Sequence, residues 1–144
     1  MKRFGHLNRD ISRVLARLGH TDGIAIADCG LPVPPGIECI DVSLKLGQPG
    51  FTDVLESVLA DMVVERAVFA WEIRNQNDSV AVRAAELARE GIQVEYVTHE
   101  RLKELTRDVR AVIRTGEATP YANVLLYSAV IFNTESTTTP GNTP

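Results

Sequence analysis

The sequence predicts a layered α/β domain, three layers deep (αβα), around a largely parallel central sheet. Three observations point there. Short apolar runs alternate along the chain with segments whose apolar residues recur at helical spacing. Turn-rich stretches such as Gly30-Leu31-Pro32-Val33-Pro34-Pro35-Gly36 and Gly47-Gln48-Pro49-Gly50 separate them. The chain has 144 residues, 44% hydrophobic and 24% charged, which suits one domain with its own core.

The elements follow in order. Leu7, Ile11, Val14, Leu15 and Leu18 share one helical face, with Asn8 or Asp10 placed to cap the start and Gly19 placed at the end. Ile24-Ala25-Ile26-Ala27 is wholly apolar and reads as a buried strand. Ile37 to Val42 is a weaker strand. Val54, Leu55, Val58, Leu59 and Met62 form a helical stripe, and Glu65 to Ile73 reads as a strand with Trp71 in the core. The alanine-rich segment Asp78 to Glu90 is a helix closed by Gly91. Ile92, Val94 and Tyr96 alternate on one face of a strand ending at Val97. A short helix over Glu100 to Thr106, a strand over Val109 to Ile113 and a strongly apolar last strand over Asn123 to Phe132 complete the domain, residues 1–132. The Thr-rich segment 133–144 is expected to be a disordered tail.

Composition narrows the function. Fifteen Lys+Arg against nineteen Asp+Glu give a net charge of −4, which disfavours nucleic acid as the ligand but leaves room for a small metabolite. No run approaches the ~20 apolar residues of a membrane span, and Phe4 to Asp10 is not the apolar core of a leader. A cytoplasmic chain with both cysteines, Cys29 and Cys39, reduced is expected. Phosphate-cradling glycine motifs and the nucleophile elbow are missing, so neither a nucleotide cofactor nor a serine hydrolase is indicated. The three histidines have no metal-ligand spacing, and no metal is expected.

Polar residues at strand ends are where a site would form in such a sheet. His20 reads either as a histidine resting on the carbonyls of a helix end or as a general acid. Asp28 either closes the turn after its strand or accepts hydrogen bonds from hydroxyls and orients His20. His99 is a first-turn helical residue or a donor to an oxygen-rich ligand. In Thr119-Pro120-Tyr121-Ala122-Asn123, the aromatic platform of Tyr121 and the paired donor and acceptor of Asn123 suit a polyhydroxylated ligand, although a plain turn fits as well.

Several blocks, in order, resemble the D-ribose pyranase family. They are Asn8-Arg9-Asp10-Ile11-Ser12, Arg17-Leu18-Gly19-His20-Thr21-Asp22, Asp28-Cys29-Gly30-Leu31-Pro32-Val33-Pro34, Tyr96-Val97-Thr98-His99-Glu100 and the run from Ala111 to Val124. The resemblance implies an isomerase that interconverts pyranose and furanose D-ribose without cofactor, and a homo-oligomer, octamer or decamer. It matches His20 to the family's proton donor, and Asp28, His99, Tyr121, Ala122 and Asn123 to its ribose-binding positions. L-fucose mutarotases share the fold but are less similar around Gly30 to Pro34, His99 and Tyr121, which favours ribose. The alternatives are a mutarotase for another monosaccharide, a non-catalytic ribose-binding subunit, and a structural module whose polar residues are all caps and turns.

Overall fold

The computed structural model describes residues 1–131; the tail expected at 133–144 lies outside the described residues. The elements are α1 (Arg9–Arg17), β1 (Gly23–Ala27), β2 (Glu38–Asp41), α2 (Phe51–Leu59), β3 (Val64–Ala70), α3 (Ile73–Gln76), α4 (Asp78–Arg89), β4 (Gln93–Val97), α5 (His99–Leu105), a 3-10 turn (Thr106–Asp108), β5 (Ala111–Arg114) and β6 (Val124–Ser128). The six strands form one sheet in the order β2-β5-β1-β6-β3-β4. Pairing is parallel except at β6, which runs against both of its neighbours, β1 and β3.

Side-chain alternation sorts the core into two faces. Ile24, Ile26, Phe69, Ile113, Val124 and Leu126 point to one face and pack on Ile11 and Val14 of α1, Val54, Leu55 and Val58 of α2, and Val80, Ala84 and Leu87 of α4. The smaller Ala25, Ala27, Val68 and Ala70, with Val112 and Leu125, point to the other and pack on Leu102 of α5 and on Leu31. All five residues of β1 are buried, as its unbroken apolar run requires, whereas β2 lies at the sheet edge and buries Ile40 alone. No helix among the described residues is long and apolar enough to cross a membrane.

The helix ends are held by side chains the sequence places there. Asn8 Oδ1 accepts from the backbone N–H groups of Asp10 and Ile11, both at 2.9 Å, and Thr98 Oγ1 accepts from Arg101 N at 3.1 Å. Gly91, at φ 98°, ends α4 in the left-handed region.

Four expectations change. Leu7 lies before α1 and is exposed, because the helix starts only after the Asn8 cap. Gly19 does not take the left-handed position; Thr21 does, at φ 71°, because the Asp22 carboxylate draws the Gly19 N–H into a turn at 2.8 Å. Trp71 is 50% exposed, past the end of β3, with the Arg74 guanidinium 4.1 Å from its ring. The last strand ends at Ser128, since its neighbour β1 begins at Gly23, opposite Tyr127; the bound expected at Phe132 lies outside the described residues.

Candidate functional site

Two polar clusters sit at opposite ends of the sheet. The first gathers where β1, β3 and β4 finish and β6 begins. Asp28 directly follows β1. Its backbone N–H donates to Asn123 Oδ1 at 2.8 Å, and Asn123 Nδ2 donates to Asp28 Oδ2 at 3.2 Å. The other Asp28 oxygen accepts from Gly30 N at 2.9 Å. The turn-closing reading of Asp28 and its place in a polar cluster therefore hold together, one oxygen for each. The loop beyond is fixed by Arg114, which donates to the Cys29 carbonyl through Nε and Nη2 and to Asp41 through Nη1 at 2.8 Å.

Tyr121 takes φ 60° and links the cluster to His99, the ring centroids lying 5.1 Å apart and nearly perpendicular. The His99 backbone N–H is held by both oxygens of Glu72, at 3.0 and 3.2 Å. Its side-chain Nδ1 is buried and has no hydrogen-bond partner among the described residues. Ala122 is fully buried between Tyr121 and Asn123.

The Thr119-Pro120-Tyr121 turn is tied down by Asn77, whose Nδ2 donates to Thr119 Oγ1 at 2.9 Å and to the Pro120 carbonyl at 2.8 Å. Glu117 accepts from Phe51 N at the start of α2 at 2.9 Å and from Thr119 Oγ1 at 2.9 Å. Burial alone would push the Glu117 carboxyl up, but these hydrogen bonds outweigh it and hold the carboxyl below its ordinary value. Gly116 makes this approach possible. A Cβ there would stand 2.5 Å from the Lys45 carbonyl and 2.7 Å from Gln48 N.

The second cluster is at the other end of β1. His20 Nε2 lies 2.9 Å from Glu65 Oε1, and its side chain is half exposed. The turn bearing it is pinned to β6: Thr21 N donates to the Ser128 carbonyl at 3.0 Å, and Ser128 Oγ donates to the Gly19 carbonyl. Asp22 adds an ion pair to Arg110 at 3.1 Å.

His20 and Asp28 are therefore not brought together within one chain. They flank the same strand, whose five residues at about 3.3 Å each separate them by roughly 16 Å. Within one chain Asp28 does not reach His20, whose hydrogen-bond partner is Glu65. Two hollows, of about 420 and 500 Å³, open elsewhere on the described residues. The first lies between Pro32–Pro35 and α5, and the second between Arg17, Glu38 and Arg110. Neither is lined by His20, Asp28, His99, Tyr121 or Asn123.

Sequence reasoning missed Glu65, Asn77 and Glu117. Asn77 alone had a local signal, an asparagine immediately before a helical segment. His6 is buried against Ser57 Oγ, 3.2 Å from Nδ1, away from both clusters.

Two measurements follow from this geometry. Asn123 is 1% exposed and spends its amide on Asp28, so Asn123→Ala leaves the Asp28 N–H without an acceptor. A loss of about 1–3 kcal/mol in chemical denaturation is expected, and no change in midpoint would contradict the pairing. At the other end, Gly19 N–H first and Arg110 second hold the Asp22 carboxyl below its ordinary value. A depressed carboxyl stabilises above its unfolded value, near pH 4, and loses that contribution as pH falls through the folded value. The stability gap between the parent and Asp22→Asn is therefore expected to be widest at neutral pH and to close on acidification. A gap of constant size from pH 7 to 2 would contradict it.

The chain is matched over residues 1–131 by the model of the RbsD / FucU transport protein family. It is 60% identical over 132 residues to a D-ribose pyranase of Chromobacterium violaceum, and 61% identical over 132 residues to one of Laribacter hongkongensis. Each match covers 92% of this chain and 100% of the relative. The solved structure of Bacillus subtilis RbsD complexed with D-ribose is 48% identical, superposes with a TM-score of 0.88, and is matched over 92% of this chain and 100% of that one.

Proposed function

Because the chain belongs to the RbsD / FucU family, we propose that it is a D-ribose pyranase, an isomerase that interconverts the pyranose and furanose forms of D-ribose by opening and reclosing the ring. The observation in the fold that carries this reading is the unpartnered, buried Nδ1 of His99, beside Tyr121 and near the Asp28–Asn123 pair. A buried ring nitrogen without a partner is costly unless something polar reaches it. A sugar hydroxyl, donor and acceptor at once, is such a group.

In this reading Asp28, His99, Tyr121 and Asn123 hold the ribose hydroxyls, and buried Ala122 keeps the Tyr121 and Asn123 backbone in register. His20 is the acid. The bond between the anomeric carbon and the ring oxygen breaks, the ring oxygen takes the imidazole proton, and the anomeric hydroxyl gives its proton to solvent. The open aldehyde turns, and a different hydroxyl attacks the carbonyl to form the other ring. Acid–base help of ~10²–10⁴-fold is enough for a reaction that already proceeds in water, so the proposal calls for no cofactor.

The distance between His20 and Asp28 supports an active unit of more than one chain. His20 of one copy faces the Asp28 cluster of the next, in a cytoplasmic homo-oligomer, octamer or decamer. Exposed Phe4, Leu7, Leu44 and Leu46 supply apolar surface for such contacts. An assembly of this kind also accounts for hollows that avoid the matched residues, because each chain then carries half of the lining.

Saturation-transfer NMR on D-ribose, with D-fucose and L-fucose as controls, tests the reading. Faster exchange between ribose pyranose and furanose signals is the expected result. Binding without exchange would favour a ribose-binding subunit, exchange of fucose alone a mutarotase for another sugar, and silence on every sugar a structural module.

A further inference from the structure

We propose that Glu65 is a positioning residue for His20, fixing the imidazole so that Nδ1, not Nε2, is the nitrogen that exchanges a proton with the sugar. The inference rests on the ribose-isomerising reading for its catalytic meaning, and on the His20–Glu65 contact for its geometry. The ionised carboxylate of Glu65 can only accept, so the nitrogen 2.9 Å away must carry hydrogen. That places the N–H of the neutral ring on Nε2 and leaves the Nδ1 lone pair free. In the protonated ring Nε2–H stays with Glu65, and Nδ1–H is the proton left to give.

Three observations favour a built arrangement over a chance surface pair. Among the described residues the Glu65 carboxylate has no hydrogen-bond or ion-pair partner besides His20, and Nδ1 of His20 has none at all. The next residue, Arg66, is already committed to Glu95 at 2.6 Å and to the Tyr127 ring, so it does not compete for the Glu65 carboxylate. The His20 turn is also anchored independently of Glu65, through Thr21 and Ser128 and through Asp22, so the carboxylate is not needed to hold the backbone. Both partners are close to half exposed in one chain, where such a pair adds little to stability. Its worth lies in aiming the ring.

The proton balance is then explicit. Nδ1–H protonates the ring oxygen as the bond to the anomeric carbon breaks, the anomeric hydroxyl releases its proton to water, and water returns a proton to Nδ1. Nε2–H remains on Glu65 throughout.

The test compares Glu65→Ala and the isosteric Glu65→Gln with the parent. Glu65→Ala is expected to lower kcat for ribose exchange about 10–100-fold, a part of what general acid help supplies, while KM stays within about twofold. Glu65→Gln, whose amide oxygen still accepts from Nε2–H, is expected to fall between the two. Nitrogen-15 NMR of the His20 ring, without substrate, should show the Nε2–H form in the parent and in Glu65→Gln, and a share of the Nδ1–H form in Glu65→Ala. Parental kcat in Glu65→Ala, or a loss confined to KM, would overturn the proposal. An unchanged tautomer in Glu65→Ala would overturn it whether or not ribose is the substrate. If the parent leaves ribose unexchanged, the sugar reading fails separately, and the ring-nitrogen signals alone decide Glu65.

Discussion

Replacing His20 by Ala is expected to slow pyranose–furanose exchange of ribose by about 10²–10⁴-fold while leaving the fold intact. The side chain is half exposed and its one hydrogen bond among the described residues is to an exposed Glu65, so its removal leaves no cavity and no buried orphan. The backbone turn around it is held by Ser128 and Asp22, which the substitution does not touch. Circular dichroism and sedimentation should therefore match the parent. Exchange at the parental rate would remove His20 as the acid. The same variant also tests the shared site. If His20 and Asp28 act from different copies, mixing unfolded His20→Ala and Asp28→Asn chains and refolding them together should restore roughly a quarter of parental activity, because half the sites draw an intact His20 and half of those an intact Asp28. No recovery on mixing would mean that the two residues work from one chain, against the span of β1 between them.

The second large effect is structural. Phe69→Ala is expected to cost about 3–5 kcal/mol. Phe69 is fully buried in β3, paired with Val124 of β6 and Tyr96 of β4, and its ring centroid lies 6.4 Å from that of Tyr96. No neighbouring backbone can collapse into the space, since the strands on both sides are hydrogen-bonded in register. Activity should fall with stability, because β3 carries Glu65 near its start and leads into Glu72, which holds His99. Urea denaturation measures the first effect, and a loss below about 1 kcal/mol would mean that the core repacks freely.

What could be read from the sequence follows from how far each signal reaches. The run Gly23–Ala27 declared itself because a strand buried on both faces needs an unbroken apolar stretch, and α4 because Gly91 ends it. The helix over α2 was equally plain from its stripe, although it starts at Phe51. Trp71 misled because an apolar run says nothing of an arginine folding back over the ring. The strand order was not legible, since β6 inserts between β1 and β3 through pairings that leave no local pattern. For the site, Asp28, His99, Tyr121 and Asn123 were singled out as strand-end polar residues, and they do form one connected group. The link of His20 to Glu65 spans 45 positions and has no spacing signature. The separation of His20 from Asp28, by contrast, was implicit in their flanking a single five-residue strand.

The antiparallel β6 carries a consequence for biosynthesis. It is the last strand of the described residues, yet it occupies the middle of the sheet. Until residues 124–128 leave the ribosome, β2-β5-β1 on one side and β3-β4 on the other share no ladder, and the edges of β1 and β3 stand open to foreign strands. Until residues 124–128 emerge, the two groups of strands are thus joined by no backbone ladder, and chaperones that shield exposed strand edges are expected to have their greatest effect in that interval.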